Sequence, residues 1–119
     1  MKIAVSSTGQ TLDDAVEARF GRCPYFLIVS PATLEFEVIA NVNTEQGGSA
    51  GIQSAQLIAK NGASVVLTGS CGPNALQVLK EAGIIVVTGV TGSVSQVVQQ
   101  FTAGSLKSAP STETSPRFS

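Results

Sequence analysis

The chain has 119 residues, a length that suits one domain. Hydrophobic residues make up 43% and aromatics only 5%, with no Trp, so an ordinary core can form but must be mainly aliphatic. A net charge of −1, with no run of Lys or Arg, argues against a nucleic-acid backbone or an anionic membrane as partner.

The chain contains no histidine, which excludes Ser-His-Asp and Cys-His catalysis and any His-ligated zinc site. Two cysteines cannot complete a four-cysteine zinc or iron–sulfur site within one chain. The opening Met-Lys-Ile-Ala-Val-Ser is too short an apolar run for a signal peptide, and no stretch approaches transmembrane length. The expected compartment is the cytoplasm, where the two cysteines are thiols or ligands rather than a disulfide.

Residues 2–6 read as a first strand. Residues 7–22 are mostly polar and read as a long surface loop with a helical turn near Asp13 to Arg19. Pro24 to Ser30 is a second strand, since proline is allowed at the first position. Leu34 to Asn41 returns as a third. There Phe36, Val38 and Ala40 alternate with Glu35, Glu37 and Ile39, the pattern of a half-exposed strand near an edge. Asn43 to Gly51 is a Gly-rich connection. Ile52, Ala55, Ile58 and Ala59 then make a helical stripe that closes at Asn61-Gly62.

Val65, Val66 and Leu67 form a buried strand, followed by Thr-Gly-Ser-Cys-Gly-Pro-Asn. Gly72 fits an N-cap and Pro73 the first helical position, where its missing N–H costs nothing. Ala75, Leu76, Leu79 and Ala82 form one apolar face of that helix, and Gly83 ends it. Ile84 to Val87 is a fifth strand. Ser93 and Gln96 fit a capping box for a last helix, whose buried face is Val94, Val97, Val98 and Phe101. Lys60–Gly69 and Lys80–Gly89 share a pattern of helix end, buried strand and Thr-Gly exit, which indicates αβ units with right-handed crossovers. Residues 1–105 form the domain. Residues 106–119 turn to Ser, Thr and Pro and read as a disordered tail.

The order β-β-β-α-β-α-β-α is satisfied by one mixed sheet in order 3-2-1-4-5 with helices on both faces. This α/β, three-layer arrangement is ribonuclease H-like. It has a geometric consequence. The exits of strands one, four and five, the start of strand two and the end of strand three share one edge. Cys23, Gly47-Gly48 and Cys71 therefore lie along one rim, beside the switch point between strands one and four, where open sheets bind ligands.

Cys71 sits one residue before the helix cap, where free N–H groups and the helix dipole favour an anion and a thiol tends toward thiolate. The plain alternative is a tight connection with Cys71 as a small filler, since free cysteine is commonly buried and inert. Cys23 reads either as a ligand or as the cap of a core edge. Gly47-Gly48 reads either as a binding loop or as a linker. Arg19 and Arg22 flank Phe20-Gly21 and read either as an anion clamp or as solvated surface. Asp13 and Asp14 are adjacent and point apart, and strands one and four carry no acidic residue, so nuclease chemistry is not supported. Ser6, Ser7 and Ser70 have no base beside them in the sequence.

Three short motifs in matching order resemble the dinitrogenase iron–molybdenum cofactor biosynthesis family. They are Phe20-Gly21-Arg22-Cys23-Pro24-Tyr25-Phe26, a Gly-rich turn running into Ala50-Gly51-Ile52-Gln53, and Gly72-Pro73-Asn74-Ala75. The resemblance covers about residues 1–105. It implies a ribonuclease H-like fold, no enzymatic reaction, and binding of a metal–sulfur cluster of iron–molybdenum or molybdenum–copper type, or its precursor. Cluster-assembly proteins are the partners it implies. Many members carry histidine near the Gly-rich turn, where this chain reads Gly47-Gly48-Ser49, so cysteines or backbone groups would have to replace it. The expected site is Cys23 and Cys71 as thiolate donors, with Arg19, Arg22, Gly47, Gly48, Ser49 and Gly72 supporting charge on the cluster. Two other readings of the same fold are a metal-free protein-interaction module and a dithiol redox protein.

Overall fold

The structure, a computed structural model, describes residues 1–41 and 50–104. Gly47, Gly48 and Ser49 of the expected site lie outside the described residues, as do residues 105–119.

Five strands form one sheet in the order β3-β2-β1-β4-β5. They are β1 (Ile3–Ser7), β2 (Tyr25–Val29), β3 (Phe36–Ala40), β4 (Val65–Leu67) and β5 (Ile85–Val87). The β1–β2 and β2–β3 pairs are antiparallel, and the β1–β4 and β4–β5 pairs are parallel. This is the expected ribonuclease H-like topology. The three helices among the described residues are α1 (Ala50–Lys60), α2 (Pro73–Glu81) and α3 (Val94–Thr102). None is long and apolar enough to cross a membrane.

Alternation along the strands divides the core into two layers. Ala4, Phe26, Ile28, Val66 and Val86 face α1 and α2, where Ala55, Ile58, Ala75 and Leu79 cover them. Ile3, Val5, Leu27, Val29, Val65, Leu67 and Val87 face α3 and meet Val94, Val97 and Val98. Burying one such aliphatic side chain contributes about 1.5–3 kcal/mol. The central strands are covered on both faces, which explains their continuous apolar runs.

The helix signals act as read. Gly72 is the N-cap of α2 and Pro73 occupies its first turn. The Ser93–Gln96 capping box of α3 is complete, with Gln96 N–H donating to Ser93 Oγ at 3.2 Å and Ser93 N–H donating to Gln96 Oε1 at 3.0 Å. Gly62 and Gly83 end α1 and α2 at φ +79°, a conformation that a side chain would strain. Ala82, expected on the buried face, is instead the exposed C-cap.

Two expectations need correction. Residues 13–19 form no helical turn. Asp14 N–H closes a single turn on Thr11 O, and residues 15–19 then run with bridges from Ser7 to Val16, Ala15 to Ser93 and Arg19 to Ser70 before Phe20–Arg22 winds into a 3₁₀ turn. Backbone bonds from Val94 N–H to Asp14 O and from Val16 N–H to Gly92 O explain why, since the segment pairs with the start of α3 instead of with itself. Phe20 is buried against Phe26, so this loop contributes to the core. The second correction concerns only which residues of β3 pack inward, since its place at the sheet edge and its exposure are as the sequence indicates. Ile39 packs on the α1–α2 layer, whereas Phe36 and Val38 are 39% and 38% exposed on the α3 side. Their partners Val29 and Leu27 are buried, but β3 itself is an edge strand.

Candidate functional site

The parallel strands β1 and β4 end at the same edge of the sheet, and the chain leaves them in different directions. From β1 it passes through residues 8–19, and from β4 it turns into α2. These two exits are stitched together. Phe20 N–H donates to Ser70 O at 3.0 Å and Ser70 Oγ donates to Ala18 O at 3.0 Å, while Glu17 N–H ties the first exit back to β1 at Ser6 O, 2.9 Å away. The approach is so close that a Cβ at Gly69 would lie 2.6 Å from Ala18 O. Beneath the seam, buried Ser6 Oγ is in hydrogen-bond contact with Thr68 Oγ1 at 2.8 Å and with Glu17 O at 2.9 Å, which satisfies hydroxyls that water cannot reach.

The seam places the Arg19–Arg22 turn opposite the starts of α1 and α2. Between them lies an open groove of about 370 Å³. Arg19 and Arg22 line one wall with Phe20 and Gly21. Gly51 and Ile52 of α1 and Gly72, Pro73 and Asn74 of α2 line the other. No side chain caps α2, and since Pro73 has no N–H and Leu76 N–H bonds Gly72 O, the first-turn donors it can offer are the N–H groups of Asn74 and Ala75. Two exposed guanidinium groups and two helix starts on one concavity make it electropositive and rich in donors, the chemistry of an anion site.

The thiols are placed differently from the expected donor pair. Cys23 and Cys71 do lie at the same edge of the sheet, before β2 and after β4. Neither lines the groove. Cys23 is fully buried, and its Sγ donates to Phe20 O at 3.2 Å. Burial pushes its pKa up to about 12, against the smaller opposing effect of the Ser7 backbone and the Asn41 side chain. Cys71 is half-buried against the α1–α2 layer, and burial raises it to about 11. The thiolate tendency expected from the α2 start is therefore outweighed by desolvation. Among the described residues, no three or more His, Cys, Asp or Glu are grouped so as to hold a metal ion.

Arg19, Arg22 and Gly72 are thus brought together, while Cys23 lies in the core and Cys71 is half-buried against it. Sequence reasoning missed Asn74 and Ile52 as lining residues, although both fall in the motifs quoted above. It also missed Asn41, which joins the two walls from behind and has no local signature.

The whole domain matches one family model. The model of the dinitrogenase iron–molybdenum cofactor family matches residues 1–104, and the chain belongs to that family. It is 42% identical to the apo form of the orange protein from Desulfovibrio gigas, with a TM-score of 0.88 over 91% of this chain and 92% of that one. A putative NifB protein from Thermotoga is 29% identical, with a TM-score of 0.79 over 96% and 97% of the two chains. An uncharacterized protein of Methanocaldococcus jannaschii is 33% identical over 90% of each chain. Family and neighbours together mark a cofactor-related accessory protein.

Proposed function

We propose that the groove carries an anionic metal–sulfur cluster, of iron–molybdenum or molybdenum–copper type, or its precursor, as cargo held without thiolate ligation. The observation that carries this reading is the convergence of Arg19, Arg22 and the uncapped start of α2 on one groove that neither thiol lines, with Cys23 buried in the core and Cys71 half-buried against it. An anionic cluster presents sulfur and oxo acceptors at its surface. Guanidinium and backbone N–H donors match them by charge-assisted hydrogen bonds that need no deprotonation of the protein. Direct ligation by Cys23 would require losing a proton from a buried thiol whose pKa is near 12. The same burial opposes a dithiol redox role, because the thiolate is the reactive form. Cluster-assembly proteins are the corresponding partners, as source or recipient of the cargo.

Anaerobic reconstitution with tetrathiomolybdate and copper(I), read as metal-to-protein ratio, tests the reading. The Arg19→Ala/Arg22→Ala variant is expected to lose most of its loading. The Cys23→Ser/Cys71→Ser variant is expected to load as the unaltered protein does, with circular dichroism confirming the fold in both. Loss of loading in the folded double-serine variant, with loading retained in the double-alanine one, would overturn the proposal in favour of thiolate ligation.

A further inference from the structure

Behind the groove, one buried amide joins its two walls. Asn41 follows β3 and is 5% exposed. Its Nδ2 donates to Cys23 O at 2.9 Å and lies 3.4 Å from Gly21 O, so it holds the turn that carries Arg19 and Arg22. Its Oδ1 accepts a hydrogen bond from Ser54 Oγ at 3.1 Å, and Ser54 is fully buried in α1, one turn after Gly51. Its own N–H donates to Pro24 O at 2.9 Å. A single side chain therefore contacts both the arginine wall and the helix wall.

The amide is the partner of two groups in the interior, Cys23 O and Ser54 Oγ, and an aliphatic residue here would deprive both of that bond. What the amide adds is direction. Its donor and acceptor ends must each meet a fixed partner, which sets the spacing between the Phe20–Arg22 turn and α1.

We infer that Asn41, acting with Ser54, is a positioning residue that sets the width of the groove for its cargo. The inference rests on the reading of the groove as an anion-cargo site. Asn41 touches no cargo itself. It acts through the carbonyls of Gly21 and Cys23, which flank Arg22, and through Ser54 on the helix that presents Gly51 and Ile52.

Two measurements on one set of variants test this. The set is Asn41→Ala, the milder Ser54→Ala, their double variant, and Ser93→Ala as a stability control. Ser93→Ala removes a side-chain cap of α3 on the opposite face of the sheet and leaves in place the backbone bonds, Val94 N–H to Asp14 O and Val16 N–H to Gly92 O, that hold the segment leading to Arg19. The first measurement is the affinity for tetrathiomolybdate with copper(I). Asn41→Ala is expected to bind about tenfold more weakly, the equivalent of 1.4 kcal/mol, and Ser93→Ala to bind normally. The double variant is expected to lose little more than Asn41→Ala alone, since the two residues act as one unit.

The second measurement needs no cargo. In a Cys71→Ala background, Cys23 labelling by a thiol reagent reports opening of the Phe20–Cys23 turn. Asn41→Ala is expected to raise that rate about tenfold, and Ser54→Ala to raise it less, with Ser93→Ala near the parent rate. Labelling of Asn41→Ala at the parent rate would overturn the inference. So would an affinity loss that Ser93→Ala shares, since that would be a stability effect. If Asn41→Ala does not fold, Ser54→Ala decides by the same two criteria. If the unaltered protein binds no tetrathiomolybdate, the cargo reading and the groove-width inference fall together, whereas normal binding by Asn41→Ala removes the inference alone.

Discussion

Replacing Gly69 by alanine tests the seam that builds the groove. The added Cβ would lie 2.6 Å from Ala18 O and 2.7 Å from Ala18 Cα, both backbone atoms that cannot rotate away. Carbon contacts relax near 3.5–4.0 Å, so the residue 17–20 segment must retreat by about 1 Å. That movement stretches the Phe20 N–H to Ser70 O and Ser70 Oγ to Ala18 O bonds, both 3.0 Å, out of good geometry. Each bond contributes about 1 kcal/mol. Displacing buried Phe20 adds an overpacking cost of about 1 kcal/mol or more. The sum is about 3 kcal/mol. With an unfolding entropy near 2.1 cal/mol/K per residue over a domain of roughly 100 residues, the melting temperature falls by about 14 °C.

Thermal unfolding followed by circular dichroism measures this, with Gly72→Ala as the partner experiment. Gly72 has φ −65° and ψ 161°, and a Cβ there meets nothing within 4 Å. That variant is expected to melt within about 5 °C of the parent, because alanine restricts the unfolded chain but is a poorer N-cap than glycine by up to about 1 kcal/mol. Equal melting temperatures for Gly69→Ala and Gly72→Ala would show that the close approach at Ala18 carries no weight.

Other expectations follow from single residues. Cys23 stays neutral in the folded protein well above its ordinary value of 9.0, with a folded pKa of about 12. The unfolded chain releases that proton first, so the thiol has no effect on stability below pH 9, and stability falls between pH 9 and 12 by up to about 1.4 kcal/mol per pH unit. Urea titrations across that range should show a shallower alkaline loss in Cys23→Ala than in the parent, and parallel curves would refute the assignment. Ser93→Ala removes the side-chain half of the α3 capping box and should cost about 1 kcal/mol, seen as a lower urea midpoint at unchanged slope. Gly62→Ala, at φ +79°, should destabilise by about 1 kcal/mol through backbone strain alone, because its Cβ meets nothing within 4 Å.

What the amino-acid sequence determined by itself was everything carried by local or periodic signals. Val65-Val66-Leu67 and its counterpart at Val86-Val87 are strands because their apolar, β-branched runs fit a sheet covered on both faces. Pro73 after Gly72, and Ser93 three residues before Gln96, mark helix starts through hydrogen bonds that close within one turn. Strand directions then follow from connection lengths, and with them the shared edge of Cys23 and Cys71. Only the tertiary structure decided which way residues outside that periodicity face. Phe20 is core and Arg19 and Arg22 border the groove because residues 8–19 pair with the start of α3 and with Ser70, contacts far apart in sequence. Asn41 meets Gly21, Cys23 and Ser54 only once β3 and α1 are docked. The thiols show the same limit. A position beside a helix start argues for a thiolate, but burial raises both pKa values, and burial is a property of the packed molecule that no short stretch of chain contains.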